Sequence, residues 1–370
     1  MGNQVCTMFG LDAPIFAFSH CRDVVVEASR AGGMGVLGTA GFTPEELEIE
    51  LNWIDRHVHG KPYGLDLLMP VSYETVRLKP GQPTSALLPD QQVAFVDELL
   101  TRHGVPAMPV EESETLRRAT LNRFTITPTQ HVQILDIAFR HPIKLLVCSL
   151  GTPSAETVAR ARTAGMKLAG LVGSPEHACR QREAGVDLII AQGSEAGGHT
   201  GQISTMVLTP QVVDLVAPMP VLAAGGIASG RQMLAAMALG AAGVWCGSVW
   251  LASPQSDAPP EVKQRILSAR SSETIVSRSY SGKNSRVLKS AWTDAWAAVD
   301  APPTLPMPLQ SLLVKEAMAR AQKVRSEPLA TYPAGQVIGQ ITSEISVRQI
   351  YHDMILEFAD QLEKLHKKYS

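Results

Sequence analysis

The sequence predicts an α/β chain folded as a (β/α)8 TIM barrel, with an insertion after the third strand and a smaller helical cap after the eighth. Short apolar runs alternate with amphipathic stretches, the pattern of repeated βα units around a parallel sheet. Eight such runs are present, and helix start and stop residues stand between them.

The runs begin at Pro14-Ile15-Phe16-Ala17, Met34-Gly35-Val36-Leu37, Gly64-Leu65-Asp66-Leu67 and Lys144-Leu145-Leu146-Val147. Four more follow at Leu168-Ala169-Gly170-Leu171, Leu188-Ile189-Ile190-Ala191, Val221-Leu222-Ala223-Ala224 and Gly243-Val244-Trp245-Cys246. After the first run, Ser19 or Asp23 is placed to start a helix. After the second, Thr43-Pro44-Glu45-Glu46 reads as an N-cap, a first-turn proline and the glutamate of a capping box. Ser174-Pro175 opens the helix before the sixth run in a similar way, and Gly185 closes it.

Two stretches interrupt this rhythm. Residues 70–142 far exceed an ordinary loop and contain helical patterns near Asp90 to His103 and Pro128 to Arg140, so they read as an insertion over the barrel mouth. Residues 253–342 are proline-rich, then helical around Leu312 to Arg325, and read as a second cap. The tail 343–370 places Ile345, Ile350, Met354, Phe358, Leu362 and Leu365 at helical spacing, as expected of a helix returning to cover the barrel. The expected organisation is thus a barrel over 1–252, a cap over 253–342 and a C-terminal helix.

Bulk composition excludes several classes. Among 370 residues, 18% are charged and 45% hydrophobic, which suits a large buried core. Thirty-three basic residues against thirty-five acidic ones leave a net charge of -2, so no global field favours nucleic acid or an anionic membrane. The five cysteines are scattered without a Cys-x-x-Cys pair, indicating neither a disulfide framework nor a zinc site. No signal-peptide pattern opens the sequence and no uncharged apolar run reaches about 18 residues, so a soluble cytoplasmic protein is expected.

Candidate chemistry concentrates where strands end, because βα loops at the C-terminal rim carry the active sites of such barrels. After the sixth run, Gln192-Gly193-Ser194-Glu195-Ala196-Gly197-Gly198-His199-Thr200-Gly201 displays an imidazole among glycines that permit close approach of a ligand to the main chain. His199 is the candidate base. The seventh run leads into Gly225-Gly226 and the eighth into Gly247-Ser248, positions suited to a backbone phosphate cradle. Ser19-His20-Cys21-Arg22 follows the first run and could bring His20 and Ser19 near a substrate, or simply cap a helix. Gly33-x-Gly35-x-x-Gly38 has dinucleotide-loop spacing, but it follows a helical stretch and overlaps the second strand, so it reads as a helix C-cap followed by close packing.

Four segments together resemble the nitronate monooxygenase family, formerly the 2-nitropropane dioxygenases: 31–38, 193–201, 223–231 and 238–248. The resemblance implies bound FMN, with its phosphate at Gly226, Gly247 and Ser248, its ring edge near Ala17, Phe18 and Asp66, Gln192 and Gly198 lining the ring side, and Gly225 and Cys246 also among the cofactor-binding residues. It also implies His199 as the catalytic residue and oxidation of alkyl nitronates or nitroalkanes with O2. Two positions depart from the family pattern: Ala17-Phe18-Ser19-His20 replaces a proline-methionine pair, and Asp66 replaces an asparagine. Competing readings are an NAD(P)H-dependent flavin reductase of enoyl-acyl-carrier-protein or quinone type, a flavin-free phosphate-binding isomerase, and a non-catalytic binding protein. The expected partners are a small-molecule substrate and O2 or NAD(P)H, with homodimer formation left open and no metal expected.

Overall fold

A computed structural model of the chain describes residues 2–69, 78–79, 81–124 and 128–370. The start of the expected insertion, at 70–77, and Pro80 lie outside the described residues. Eleven strands are labelled here in chain order among those residues: β1 (Ile15–Ser19), β2 (Met34–Gly38), β3 (Tyr63–Leu68), β4 (Leu145–Ser149), β5 (Lys167–Val172), β6 (Leu188–Gln192), β7 (Gly198–His199), β8 (Val221–Ala224), β9 (Gly243–Cys246), β10 (Thr274–Ser277) and β11 (Ser285–Leu288). Eight of them close a parallel barrel in the order β1-β2-β3-β4-β5-β6-β8-β9, with β9 returning to β1 through Ala17 opposite Cys246. All eight anticipated runs are barrel strands.

Each strand is near-continuously apolar because both of its faces are buried. Phe16, Met34, Val36, Val147, Ile190, Leu222 and Trp245 fill the barrel, and Val5 and Phe9 of the helix Gln4–Phe9 join that cluster. Their sequence neighbours Ile15, Ala17, Ala223, Val244 and Cys246 pack in a separate cluster with helix residues such as Val24, Met233 and Tyr351. Period-two alternation therefore sends Ala17 and Cys246 to the outer layer.

Local signals act as their chemistry dictates. Thr43 Oγ1 accepts from Glu46 N at 3.2 Å while Thr43 N donates to the Glu46 carboxylate at 2.9 Å, a complete capping box for the helix Pro44–His57. The helix Arg22–Arg30 is capped at Cys21, whose N–H donates to Ser19 Oγ at 3.1 Å. Gly35 of the dinucleotide-like spacing lies where a Cβ would meet the carbonyl oxygen of Val25 at 2.0 Å. That glycine serves helix-to-strand packing.

The insertion contains the anticipated helices at Asp90–Arg102 and Pro128–Ala138, and a further one at Val110–Phe124. That third helix has a mixed buried face: Leu121 packs against Leu312 and Leu313, Ser113 and Thr120 are buried beside it, and Arg117 pairs with Glu316 at 2.5 Å. Glu316 belongs to the cap helix Leu309–Lys323, whose Arg320 also reaches Asp97 at 2.5 Å. The two additions are thereby joined.

The cap is mixed, which corrects the expectation of a helical one. Besides the helices Pro260–Ser268, Ala291–Trp296 and Leu309–Lys323, it contains the antiparallel hairpin β10–β11. Strand β11 pairs with β7, setting Ser285 opposite His199 and Arg286 opposite Gly198. The two strands are only four residues long and each carries polar residues, with Ser277, Ser285 and Arg286 among them, so neither reads as an apolar run.

The tail forms the helix Val347–Tyr369, with Val347, Ile350, Tyr351 and Met354 buried. It crosses the helix Gly230–Ala238 so closely that a Cβ on Gly230 would meet the carbonyl oxygen of Met354 at 2.2 Å. Ile345 precedes the helix, and Leu362 and Leu365 are exposed, so the buried stripe is shorter than the apolar spacing suggested. Among the described residues, no helix is long and apolar enough to cross a membrane.

Candidate active site at the barrel mouth

A cavity of about 460 Å³ opens at the C-terminal ends of the barrel strands and extends under the cap. This volume falls in the range of small-molecule and cofactor pockets. Its wall brings together Phe18, Ser19, His20, Asp66, Gln192, Gly198, His199, Gly225, Gly226, Gly247 and Ser248, all singled out above. Cys246 also borders it, although its side chain packs outward, whereas Ala17 is absent from the wall and 1% exposed.

His199 is presented by an unusual local device. Gly198 adopts φ +77°, which an L side chain rarely tolerates, and the two residues then add an edge to the cap hairpin. The imidazole Nε2 lies 2.8 Å from the Ser281 hydroxyl, and Nδ1 has no protein partner among the described residues. Burial lowers the His199 pKa, and the positive charge of Lys283 lowers it further. The ring is therefore neutral near neutral pH and able to take a proton.

The loop between β6 and β7 is tied to its neighbours. The Glu195 carboxylate accepts the Thr205 N–H at 2.9 Å and meets Thr205 Oγ1 at 3.0 Å, capping the helix Thr205–Val216 in place of Ser204. Thr205 Oγ1 also lies 2.9 Å from the Gly225 carbonyl oxygen, linking this loop to the one after β8. Gln192 Nε2 reaches the carbonyl of His199 at 3.4 Å.

The glycine loops can accept a phosphate. Gly226 has φ +72°, and the nearest atom to a Cβ built there is 3.4 Å away, so the main chain is bare toward the cleft. Its N–H and that of Ser248 have no hydrogen-bond partner among the described residues. Ser248 Oγ accepts from Gly335 N at 2.8 Å but retains its own proton to donate. The N-terminus of the helix Gly230–Ala238 is not part of this cradle, because Glu357 already accepts from Gly230 N at 2.8 Å. Bare amides and a hydroxyl, on a cleft wall that also carries the stacked Phe18 and Trp245 rings, 5.6 Å between centroids, fit a phosphorylated aromatic cofactor.

On the opposite wall, Asp66 is 9% exposed and accepts from Ser149 Oγ at 2.6 Å. Burial pushes its carboxyl up to about 7 against the weaker opposing effect of Ser149. His20 lines the cleft with its side chain exposed to it, Nδ1 2.9 Å from the carbonyl oxygen of Gly38 and its ring edge-on to Phe18. Desolvation lowers its pKa. Ser19 lines the cleft and accepts from Cys21 N, but the helix Arg22–Arg30 has its N-cap at Cys21 without a side-chain cap, which corrects the expectation that Ser19 or Asp23 starts it.

Sequence reasoning missed the cap's contribution: Tyr280, Ser281, Ser311, Lys315 and Tyr332 line the same cavity. One usable signal was the polar Gly282-Lys283-Asn284 turn between Thr274-Ile275-Val276-Ser277 and Ser285-Arg286-Val287-Leu288, a hairpin pattern.

A barrel with an imidazole and a bare-amide cradle on one rim defines a class of cofactor-dependent barrel enzyme. The family profile described as nitronate monooxygenase matches residues 7–357, and the chain belongs to that family of flavin-dependent oxidoreductases. A Mycobacterium tuberculosis protein described as a monooxygenase is 47% identical over 375 residues, covering 99% of this chain and 98% of the relative. A Staphylococcus aureus protein described as a probable nitronate monooxygenase is 26% identical, covering 93% and 97%. Among solved structures, nitroalkane oxidase from Streptomyces ansochromogenes superposes with a TM-score of 0.78 at 23% identity, covering 98% and 99% of the two chains. FabK from Thermotoga maritima gives 0.71 at 23% identity, covering 100% and 99%. These two structures share the fold.

Proposed function

We propose that the protein is an FMN-dependent nitronate monooxygenase that oxidises alkyl nitronates or nitroalkanes with O2, with His199 as the base. The carrying observation is the placement of His199: a half-buried imidazole on the wall of the cleft, held through Nε2 by Ser281, with desolvation favouring its neutral form. Gly225, Gly226, Gly247 and Ser248 would hold the phosphate, and Phe18, Asp66, Gln192 and Gly198 would border the ring. FMN supplies the two-electron oxidation and the reaction with dioxygen when bound.

With a nitroalkane, His199 takes the proton from the carbon bearing the nitro group. The C–H electron pair moves into the nitronate and the imidazole becomes imidazolium. Ser281 accepting from Nε2–H leaves Nδ1 with the lone pair for this transfer. With a nitronate already ionised, a protonated His199 would serve as charge partner to the nitro oxygens. Burial under the cap strengthens either interaction by excluding water.

Anaerobic mixing tests the reading. The purified holoprotein should bleach at the flavin bands with an alkyl nitronate, regain colour with O2, and remain oxidised with NADH or NADPH. Rapid bleaching by NAD(P)H but not by nitronates would favour the reductase reading. A colourless protein that cannot be reconstituted with FMN would favour the isomerase.

A further inference from the structure

Three carboxyls line the cleft, and they are placed very differently. Glu195 is engaged by the Thr205 amide, Asp257 is exposed, and Asp66 is buried in the barrel wall. Asp66 sits on β3 between Gly38 of β2 and Val147 of β4. Its Oδ1 accepts from Ser149 at 2.6 Å, while Oδ2 has no hydrogen-bond partner and the group makes no ion pair among the described residues. A buried carboxylate with one neutral donor and no countercharge is costly, whereas the acid form needs only an acceptor for its proton.

We propose that Asp66 stands as the neutral acid with its proton on Oδ2, and that this O–H donates a hydrogen bond from the barrel wall to the bound flavin. The inference rests on the flavin reading above and assigns Asp66 a cofactor-holding role that a carboxylate could not fill. Its setting agrees. Burial raises the carboxyl to about 7, and any ligand filling the cleft removes further water. The titratable neighbours add no strong countercharge: Cys148 on β4 is kept a neutral thiol by burial, and His20, held on Gly38 at the β2 side, is desolvated toward its neutral form. His199, Asp257 and Lys315 face the same cavity from other elements.

Two readouts other than activity test the proposal on the full-length protein stripped of flavin and reloaded with FMN. Infrared difference spectra between wild type and Asp66→Asn should show a protonated-carboxyl stretch that disappears on alkaline titration. The FMN dissociation constant should rise with pH in wild type relative to Asp66→Asn, the ratio changing about tenfold across neutrality, as linkage requires when binding selects the acid form. Taking the ratio cancels titration of the FMN phosphate. Parallel pH profiles in the two proteins, or no acid band at any pH, overturn the proposal while leaving the flavin reading intact. Failure of wild type to bind FMN overturns both. Should Asp66→Asn not fold, Ser149→Ala decides: loss of its hydrogen bond disfavours the carboxylate, so the break in FMN affinity must move to higher pH, and an unmoved break refutes the role.

Discussion

Two histidines face the same cleft from opposite sides of the barrel, both desolvated, yet they are anchored in different ways. His20, just after β1, has Nδ1 against a backbone carbonyl, that of Gly38, which can only accept. His199, on the strand added to the cap hairpin, has Nε2 against the Ser281 hydroxyl, which can either accept or donate. A carbonyl anchor fixes one tautomer, so Nδ1 of His20 must keep its proton. A hydroxyl anchor follows the proton as the ring gains or loses it. A lowered pKa alone therefore does not distinguish a base from a structural imidazole; the partner does.

The largest expected effect breaks the comparison on its functional side. His199→Ala should lower turnover by about 100-fold or more while leaving the flavin content unchanged, as loss of a general base does. A steady-state rate within a few-fold of wild type would remove the imidazole from the chemistry. Ser281→Ala should then cost about tenfold in kcat with little change in KM, the scale of one hydrogen bond of about 1.4 kcal/mol expressed in the barrier. If the loss fell entirely on KM, Ser281 would be a substrate contact and not the support of His199.

Lys283 sharpens the same contrast without touching the ring. Its charge helps hold the His199 pKa down, so Lys283→Met should raise that pKa. A base works only when deprotonated, and kcat/KM rises with pH through its pKa. The acid limb of the profile should accordingly move to higher pH, with the plateau retained. An unmoved limb would assign it to another group.

Sequence alone showed the barrel well and the site by halves. All eight strands were legible because each is buried on both faces and reads as an apolar run bounded by caps and glycines. The placement of His199, Gly226 and Ser248 on the cleft wall was legible because they stand in or beside glycine clusters just after barrel strands. Ser281 and Lys283 were not, since no spacing rule ties a turn in the cap to a strand more than 80 residues earlier. Ala17 illustrates a different limit: it lies in the right strand, but the strand's alternation turns its side chain away from the cleft, with Phe16 and Phe18 on the other face. The helix Val110–Phe124 escaped detection because Leu121 shares its buried face with Ser113 and Thr120, so that face has little apolar periodicity.

The smallest expected effect tests the structural side. His20→Gln removes the hydrogen bond to the Gly38 carbonyl and should lower stability by about 1 kcal/mol near neutral pH, changing kcat by less than about threefold. Its pH dependence carries more information than its size. Desolvation depresses the His20 pKa in the folded protein, so the unfolded chain binds the proton more readily. The stability that neutral His20 contributes is fully present above the ordinary histidine value and is lost as pH falls toward the depressed one. Glutamine does not titrate, so denaturant midpoints of the two proteins should converge on acidification through that window. A gap that stays constant from neutral to acid pH would mean that His20 keeps the same charge folded and unfolded, and the carbonyl anchor would then not be what separates it from His199.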